Sequence, residues 1–367
     1  MNAPAQPATV PGLPGTPHRF EALDGLRGLA AIAVMLFHYG EHNGLHWLPS
    51  AWVAVDLFFV LSGFVIAHSY AARLRAGMSL GDFMAVRWLR LGPLYLVGLA
   101  LGAAALAVTM SLGRAGHVTA PEALSAAGLD LLWLPYLNHV AWPFGGEVVR
   151  GPVFPLNIPA WSLFFEAIVN LLFVAHVKRF GRSAGVALVA VSGVVFIAIT
   201  LRLGVINPGW SGGTLVYGFP RVIFEFFLGA LIFELKLHER RIGPWLTGLA
   251  ATTLFASFLS TNVKAALLDA WFVVPLAVIA VAGLRVRGPA RGLCHWLGDI
   301  SYPLYIVHYP LFQLAYELFR LREVDPKLQV ASVSLLAIAI AWLLVGADRR
   351  VRVWLLKRRA LAAPAMA

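Results

Sequence analysis

Ten stretches of the chain are apolar almost without interruption, near residues 24–40, 51–70, 93–112, 160–177, 184–203, 215–236, 244–260, 265–284, 299–319 and 328–347. Each approaches the ~20 residues that a helix needs to cross a bilayer, so the pattern predicts ten transmembrane helices. An eleventh run, LSAAGLDLLWLPYLN at 124–138, is shorter and ends in Pro and Asn. The charges in the connections decide whether it crosses. If it does not, 20 of the 29 Lys and Arg residues fall on the side of both termini and 7 on the other, the bias that keeps basic loops in the cytoplasm. A crossing at 124–138 would invert every later loop. The expectation is therefore both termini cytoplasmic in the inner membrane, with a long outer segment, about 113–158, that lies in the interface or re-enters.

Composition agrees with this solvent. Of 367 residues, 59% are hydrophobic and 13% charged, with a mean hydropathy of +0.76, outside the range of soluble globular domains. The fold class expected is all-α, a polytopic membrane bundle of about ten helices forming one domain over 19–348. Residues 1–18, rich in Ala and Pro and without a basic start or apolar core, read as a disordered tail rather than a secretory signal. Residues 349–367 read as a basic cytoplasmic tail. The net charge of +11 is accounted for by membrane orientation, so nucleic acid is not an expected partner, whereas membrane lipids are. The single cysteine, Cys294, cannot form an internal disulfide, and neither a metal site nor a bound cofactor is expected.

Several polar side chains interrupt the spans. Arg27, Asp56, Glu166, Arg221 and Glu225, left unpaired in lipid, would together cost roughly 15 kcal/mol on insertion scales. They must pair with one another or line a wet cavity. Arg27 and His38 on the first span are eleven residues apart, hence on one face and separated by about 16 Å along the axis. Arg221 and Glu225 are four apart and can neutralise each other. Ser301, Tyr305 and His308 form one polar stripe on the ninth span, with Pro310 expected to kink the helix above it. Each has a bland reading: a satisfied interhelical donor for a lone histidine, structural glue for Arg221 with Glu225, interfacial anchors for Arg87 and Arg90. A base, several carboxylates and a polar stripe at similar depth on four spans favour a functional site.

These residues sit in motifs that resemble the acyltransferase-3 family of integral membrane enzymes. The resemblance runs from about Phe20 to the tenth span. It is carried by LDGLRGLAAIAVMLFH with Arg27 and His38, VDLFFVLSGFVI with Asp56, and RWLRLGPLY with Arg87 and Arg90. WSLFFE with Trp161, Ser162 and Glu166, and SYPLYIVHYPLF with Ser301, Tyr302, Tyr305 and His308, complete it. Asn170 departs from the pattern where an aromatic is expected. The resemblance implies transfer of an acyl group, commonly acetyl, from cytoplasmic acyl-CoA as co-substrate to a hydroxyl of a glycan, a lipid-linked sugar or another acceptor. By that pattern His38 is the catalytic histidine, while Arg27, Arg87, Arg90, Ser301, Tyr302 and Tyr305 handle the donor.

The chemistry fits those residue types. A near-neutral imidazole suits removal of a hydroxyl proton, and a carboxylate orients such a base in other enzymes, here Asp56 first and Glu166 second. Arginine forks suit the phosphates of CoA. Trp161, Ser162, Arg221, Glu225 and His308 are the expected pocket and acceptor residues. Two alternatives stand beside this reading: a proton-coupled secondary transporter, since buried Asp, Glu and His also build proton relays, and an acyltransferase for a small hydroxylated metabolite such as a macrolide.

Overall fold

In the computed structural model, residues 19–144, 147–240, 242–319 and 323–362 are described; the N-terminal tail expected at 1–18 lies outside them. The chain is helical: α1 (Glu21–Glu41), α2 (Val53–Arg75), α3 (Leu80–Ser111), α4 (Ala120–Leu131), a hairpin of β1 (Ala141–Phe144) and β2 (Glu147–Arg150), α5 (Trp161–Arg179), α6 (Arg182–Leu203) and α7 (Leu215–Glu234). Then follow α8 (Pro244–Ser257), α9 (Val263–Leu268), a π-helical turn (Asp269–Val273), α10 (Val274–Ala282), α11 (Pro289–Leu318) and α12 (Pro326–Ala362).

Every apolar run expected to cross contains helix, but the elements are unequal. Among the described residues seven helices are long and apolar enough to cross a membrane: α1, α2, α3, α5 with its preceding turn, α6, α7 and α12. The protein is a multi-spanning membrane protein on that ground. The expectation of ten is finer than this. α8 has 14 residues, about 21 Å of helix. The run at 265–284 is broken by the π-helical turn, and α11, though 30 residues long, carries the polar stripe within its apolar part. The segment after residue 348, expected as a tail, continues α12 as helix to Ala362.

Side-chain contacts fix the relative directions of the helices that build the site. Along α1 and α11, Arg27 meets Ser301, His38 meets His308, and Tyr39 stacks on Phe312. Both numbers rise together, so the helices are parallel. Along α3 and α11, Tyr302 bonds the Leu91 carbonyl and Gln313 bonds Thr109, again in parallel. In a chain with ten crossings α11 is the ninth and runs with α1 and α3; an extra crossing at 124–138 would have reversed it.

That segment instead forms α4, 12 residues and about 18 Å long, too short for the ~30 Å hydrocarbon core. A capping box between Thr119 and Glu122 starts it. It then folds back along α3: Trp133 packs edge-on against Trp88 and Tyr95, which lie about 35 and 24 Å before the far end of α3. The Tyr95 hydroxyl donates to the Asp130 carbonyl, and the Leu156 amide donates to the Asp130 carboxylate at 3.3 Å. The segment expected to lie in the interface or re-enter thus folds back along α3.

The tightest helix crossing is between α2 and α7. A Cβ on Gly63 would stand 1.8 Å from the Phe226 carbonyl oxygen, and one on Gly229 would stand 1.9 Å from that of Val60. Backbones this close need residues without side chains, as small-residue interfaces in membranes do. Gly63→Ala is expected to cost at least about 3 kcal/mol, the top of the usual range for overpacking, read as a loss of thermal midpoint in detergent. Gly248→Ala, at a position where a Cβ meets nothing within 4 Å, should leave the midpoint unchanged.

Candidate active site

Two connected cavities open from the end of the bundle that carries the α1 N-terminus. The outer vestibule, about 800 Å³, is bounded by the starts of α1 and α11 and by α12, with Arg19, Asp24, Asp299 and Arg349 on its walls. The inner cavity, about 120 Å³, lies between α1, α2, α3, α5 and α11, and its walls are apolar except at Arg27, Ser62, Arg87, Arg90, Ser162, Glu166, Ser301, Tyr302 and Tyr305. Arg27, Leu61, Val65, Arg90 and Tyr302 border both and form the neck between them. All six residues expected to handle the donor meet here, together with Ser162 and Glu166.

The three arginines differ in how they are held. Arg27 pairs with Asp24 at 3.0 Å and donates to the Ser301 hydroxyl and the Gly298 carbonyl, each at 2.9 Å. Arg87 is buried and ion-paired with Glu166, which also accepts from the Ser62 hydroxyl at 2.9 Å. Its charge is thereby largely neutralised, and Glu166 is engaged with Arg87 rather than with His38. No described ion pair or hydrogen bond includes Arg90, whose side chain is open to the neck. Of the three expected cations, Arg90 has the most freedom to take an incoming anion.

At the inner end, the Tyr305 and Ser162 hydroxyls are 2.9 Å apart and both reach the Pro159 carbonyl at 3.0 Å. Tyr302 donates to the Leu91 carbonyl at 2.7 Å. Beyond Tyr305 stands a histidine pair. His308 Nδ1 lies 3.1 Å from the Leu304 carbonyl, which can only accept, so Nδ1 carries the proton and His308 Nε2 is an acceptor. His38 Nδ1, at 3.0 Å, then donates to it, leaving His38 Nε2 with a free lone pair. His38 thus contacts His308, with the Val34 carbonyl as a backbone partner, while Asp56 and Glu166, the carboxylates expected beside it, pair with Arg221 and Arg87. His38 does not line the described cavities. Tyr305, its ring centroid 5.9 Å from that of His308, and Phe58 packed edge-on upon it close the way.

Around the pair lies an aromatic shell of Phe37, Tyr39, Tyr309 and Phe144, the last brought in by β1. His42, just past the end of α1, packs against Phe144, and burial pushes its pKa down to about 3, so it is neutral at physiological pH.

Asp56 belongs to a separate knot. Arg221 donates to Asp56 at 2.6 Å, lies 3.4 Å from Glu225 and bonds Asn207 at 2.6 Å, with its guanidinium 5.7 Å from the ring centres of both Trp52 and Trp161. Asp56, Arg221 and Glu225 are buried. Arg221 and Glu225, expected as neighbours, lie side by side, with Asp56 as a second carboxylate on the same guanidinium. Asp56, Trp161, Arg221 and Glu225 thus tie α2, α5 and α7 together rather than line the described cavities. Asn170 is also buried, and its Oδ1 has no described partner.

Sequence reasoning missed Asn157. Pro310 has no N–H to give the Ile306 carbonyl, and the Asn157 side chain supplies one at 2.8 Å. The proline signals a carbonyl in need of a donor; only the fold reveals which residue provides it.

The membrane-spanning helical bundle thus holds a charged vestibule that leads to a narrow, largely apolar cavity. Residues 20–346 match the acyltransferase-domain family, and the chain belongs to this family of membrane acyltransferases. It is similar to the exopolysaccharide production protein ExoZ of Rhizobium meliloti (strain 1021), 30% identical over 283 residues, covering 75% of this chain and 80% of that protein. It is also similar to protein 2 in the picA locus of Rhizobium radiobacter, 37% identical over 150 residues, covering 40% of this chain and 78% of that protein. No solved structure matches the chain. Family membership makes the protein an acyltransferase and sets the transporter alternative aside.

Proposed function

We propose that the protein is an O-acyltransferase that moves an acetyl group from cytoplasmic acetyl-CoA to a hydroxyl of a cell-surface glycan, with His38 as general base. The observation that carries this reading is the charged vestibule and the largely apolar inner cavity ending at a tyrosine hydroxyl one ring away from the His308–His38 pair. The name of the similar exopolysaccharide production protein supports a glycan acceptor. Both termini lie in the cytoplasm on this reading, and ten crossings place the vestibule there and His38 toward the opposite face.

The donor's diphosphate binds Arg90 and Arg27 at the neck, and the uncharged pantetheine arm fills the apolar cavity. The arm's arrival moves the Tyr305 ring aside so that the thioester reaches His38. Catalytic geometry in an unliganded site commonly tightens only in the complex. His38 Nε2 takes the acceptor hydroxyl proton, the oxygen attacks the thioester carbonyl, and the Tyr305 hydroxyl donates to the developing oxyanion. Collapse breaks the carbon–sulfur bond; the CoA sulfur leaves with the proton carried by His38, and the new ester leaves on the glycan.

The test uses purified protein in vesicles, acetyl-labelled acetyl-CoA and an oligosaccharide prepared from exopolysaccharide. Alkali-labile label in the sugar, with equimolar release of CoA, is the expected result. Acetyl-CoA left intact in the presence of acceptor would overturn the reading.

A further inference from the structure

The charged wall of the vestibule is unevenly accounted for. Arg90 and Arg27 at the neck suffice for a diphosphate, yet α12 adds Arg349 and Arg352 to the vestibule wall, where neither borders the inner cavity. α12 has 37 residues and is about 55 Å long, far more than the ~30 Å that a crossing requires. Arg349 and Arg352 are three apart and share the face toward the vestibule, whereas Arg350, between them, does not line it. Basic anchors placed only for orientation would not need to face one cavity.

Both side chains are held in place by acids. Arg349 bonds Asp299 at 2.6 Å, and Asp299 also accepts from Arg19 at 2.9 Å. Arg352 pairs with Asp348 one turn back. Each guanidinium has five N–H groups and spends few of them on these carboxylates, so donors remain for an anion in the vestibule. The Arg349 side chain is 63% exposed and that of Arg352 is 36% exposed, open enough to be reached.

The geometry points to a phosphomonoester subsite on α12, in which Arg349 and Arg352, joined by Arg19, bind the 3′-phosphate of the CoA donor. This rests on the proposed use of acyl-CoA. The order of groups on the donor matches the order of charges along the cavities: the thioester arm in the apolar cavity, the diphosphate at the neck, then the adenosine and its 3′-phosphate in the vestibule. A phosphomonoester adds close to two negative charges at neutral pH and calls for cations of its own.

The experiment compares CoA with dephospho-CoA, which lacks only the 3′-phosphate, by calorimetric titration of the full-length protein in uncharged nanodiscs. The wild type is expected to bind CoA at least about tenfold more tightly, the least that a charge-assisted hydrogen bond to a phosphate supplies. Arg349→Gln with Arg352→Gln is expected to bind both within about twofold, and Arg350→Gln to keep the wild-type ratio. Equal binding of the two ligands by the wild type, or a ratio preserved in the double variant, would overturn the subsite and leave the acyl-CoA reading standing. Binding of neither ligand would remove both. If the double variant does not fold, single Arg349→Lys and Arg352→Lys variants, which keep charge but lose the fork, should each lower the ratio, and an unchanged ratio would refute the assignment. A final arm adds phosphatidic acid to the nanodiscs. Loss of discrimination there, with lipid displacing CoA, would assign the cations to a headgroup instead and overturn the proposal.

Discussion

His38→Ala is expected to lower acyl transfer by about 10²- to 10⁴-fold, the usual worth of general-base assistance, with donor affinity unchanged because the ring lines neither cavity. Steady-state assays at saturating donor, paired with CoA titration, separate the two quantities. Transfer at the wild-type rate would remove the imidazole from the mechanism. The neighbouring ring provides a sharper check, because His308 acts through His38. His308→Phe removes the side-chain acceptor beside His38 and is expected to lower kcat at unchanged donor KM. His308→Gln places a carbonyl oxygen within reach of His38 Nδ1–H and should recover part of the loss. Equal defects in the two variants, or a change in KM alone, would count against a positioning role.

Arg90→Ala is expected to raise the donor KM by roughly 10- to 150-fold, the equivalent of the 1.5–3 kcal/mol of a hydrogen bond to a charged group, with a smaller effect on kcat. A change in turnover at constant KM would refute the phosphate role. Arg87→Ala is a poorer probe than the motif suggests. It would strand the Glu166 carboxylate in a largely apolar wall, and breaking a buried pair in this way costs about 3–5 kcal/mol of stability. Its loss of activity would accompany a loss of folded protein, visible in the thermal midpoint.

The difference between these two arginines marks where the sequence stops being informative. Helices at all ten apolar runs follow from one-dimensional periodicity, whereas the grouping of Arg27, Arg87, Arg90, Ser301, Tyr302 and Tyr305 is legible only through the resemblance of their motifs to a known family. Partners across helices are legible in neither. Asp56 and His38 were placed at similar depth by counting residues, but depth says nothing about rotation around the axis, and Asp56 faces Arg221 on α7. The histidine pair bridges α1 and α11, a contact that no spacing encodes. Similarly, that LSAAGLDLLWLPYLN does not cross is an expectation drawn from the charges of the connections; that it doubles back to Trp88 depends on packing against α3. Arg349 and Arg352 looked like part of a tail because positive charge past a span has a sufficient topological explanation.

The site joins positions far apart in time as well as in sequence. His38 and His308 are separated by 270 residues, and at a typical 5–20 residues per second the ribosome needs roughly 15–50 s to travel from one to the other. Throughout that interval α1 holds a guanidinium and an imidazole whose lasting partners have not yet been made. A nascent chain in this state depends on the insertion machinery or its chaperones to shield that face, and one that terminates before α11 would be a natural target for membrane proteases.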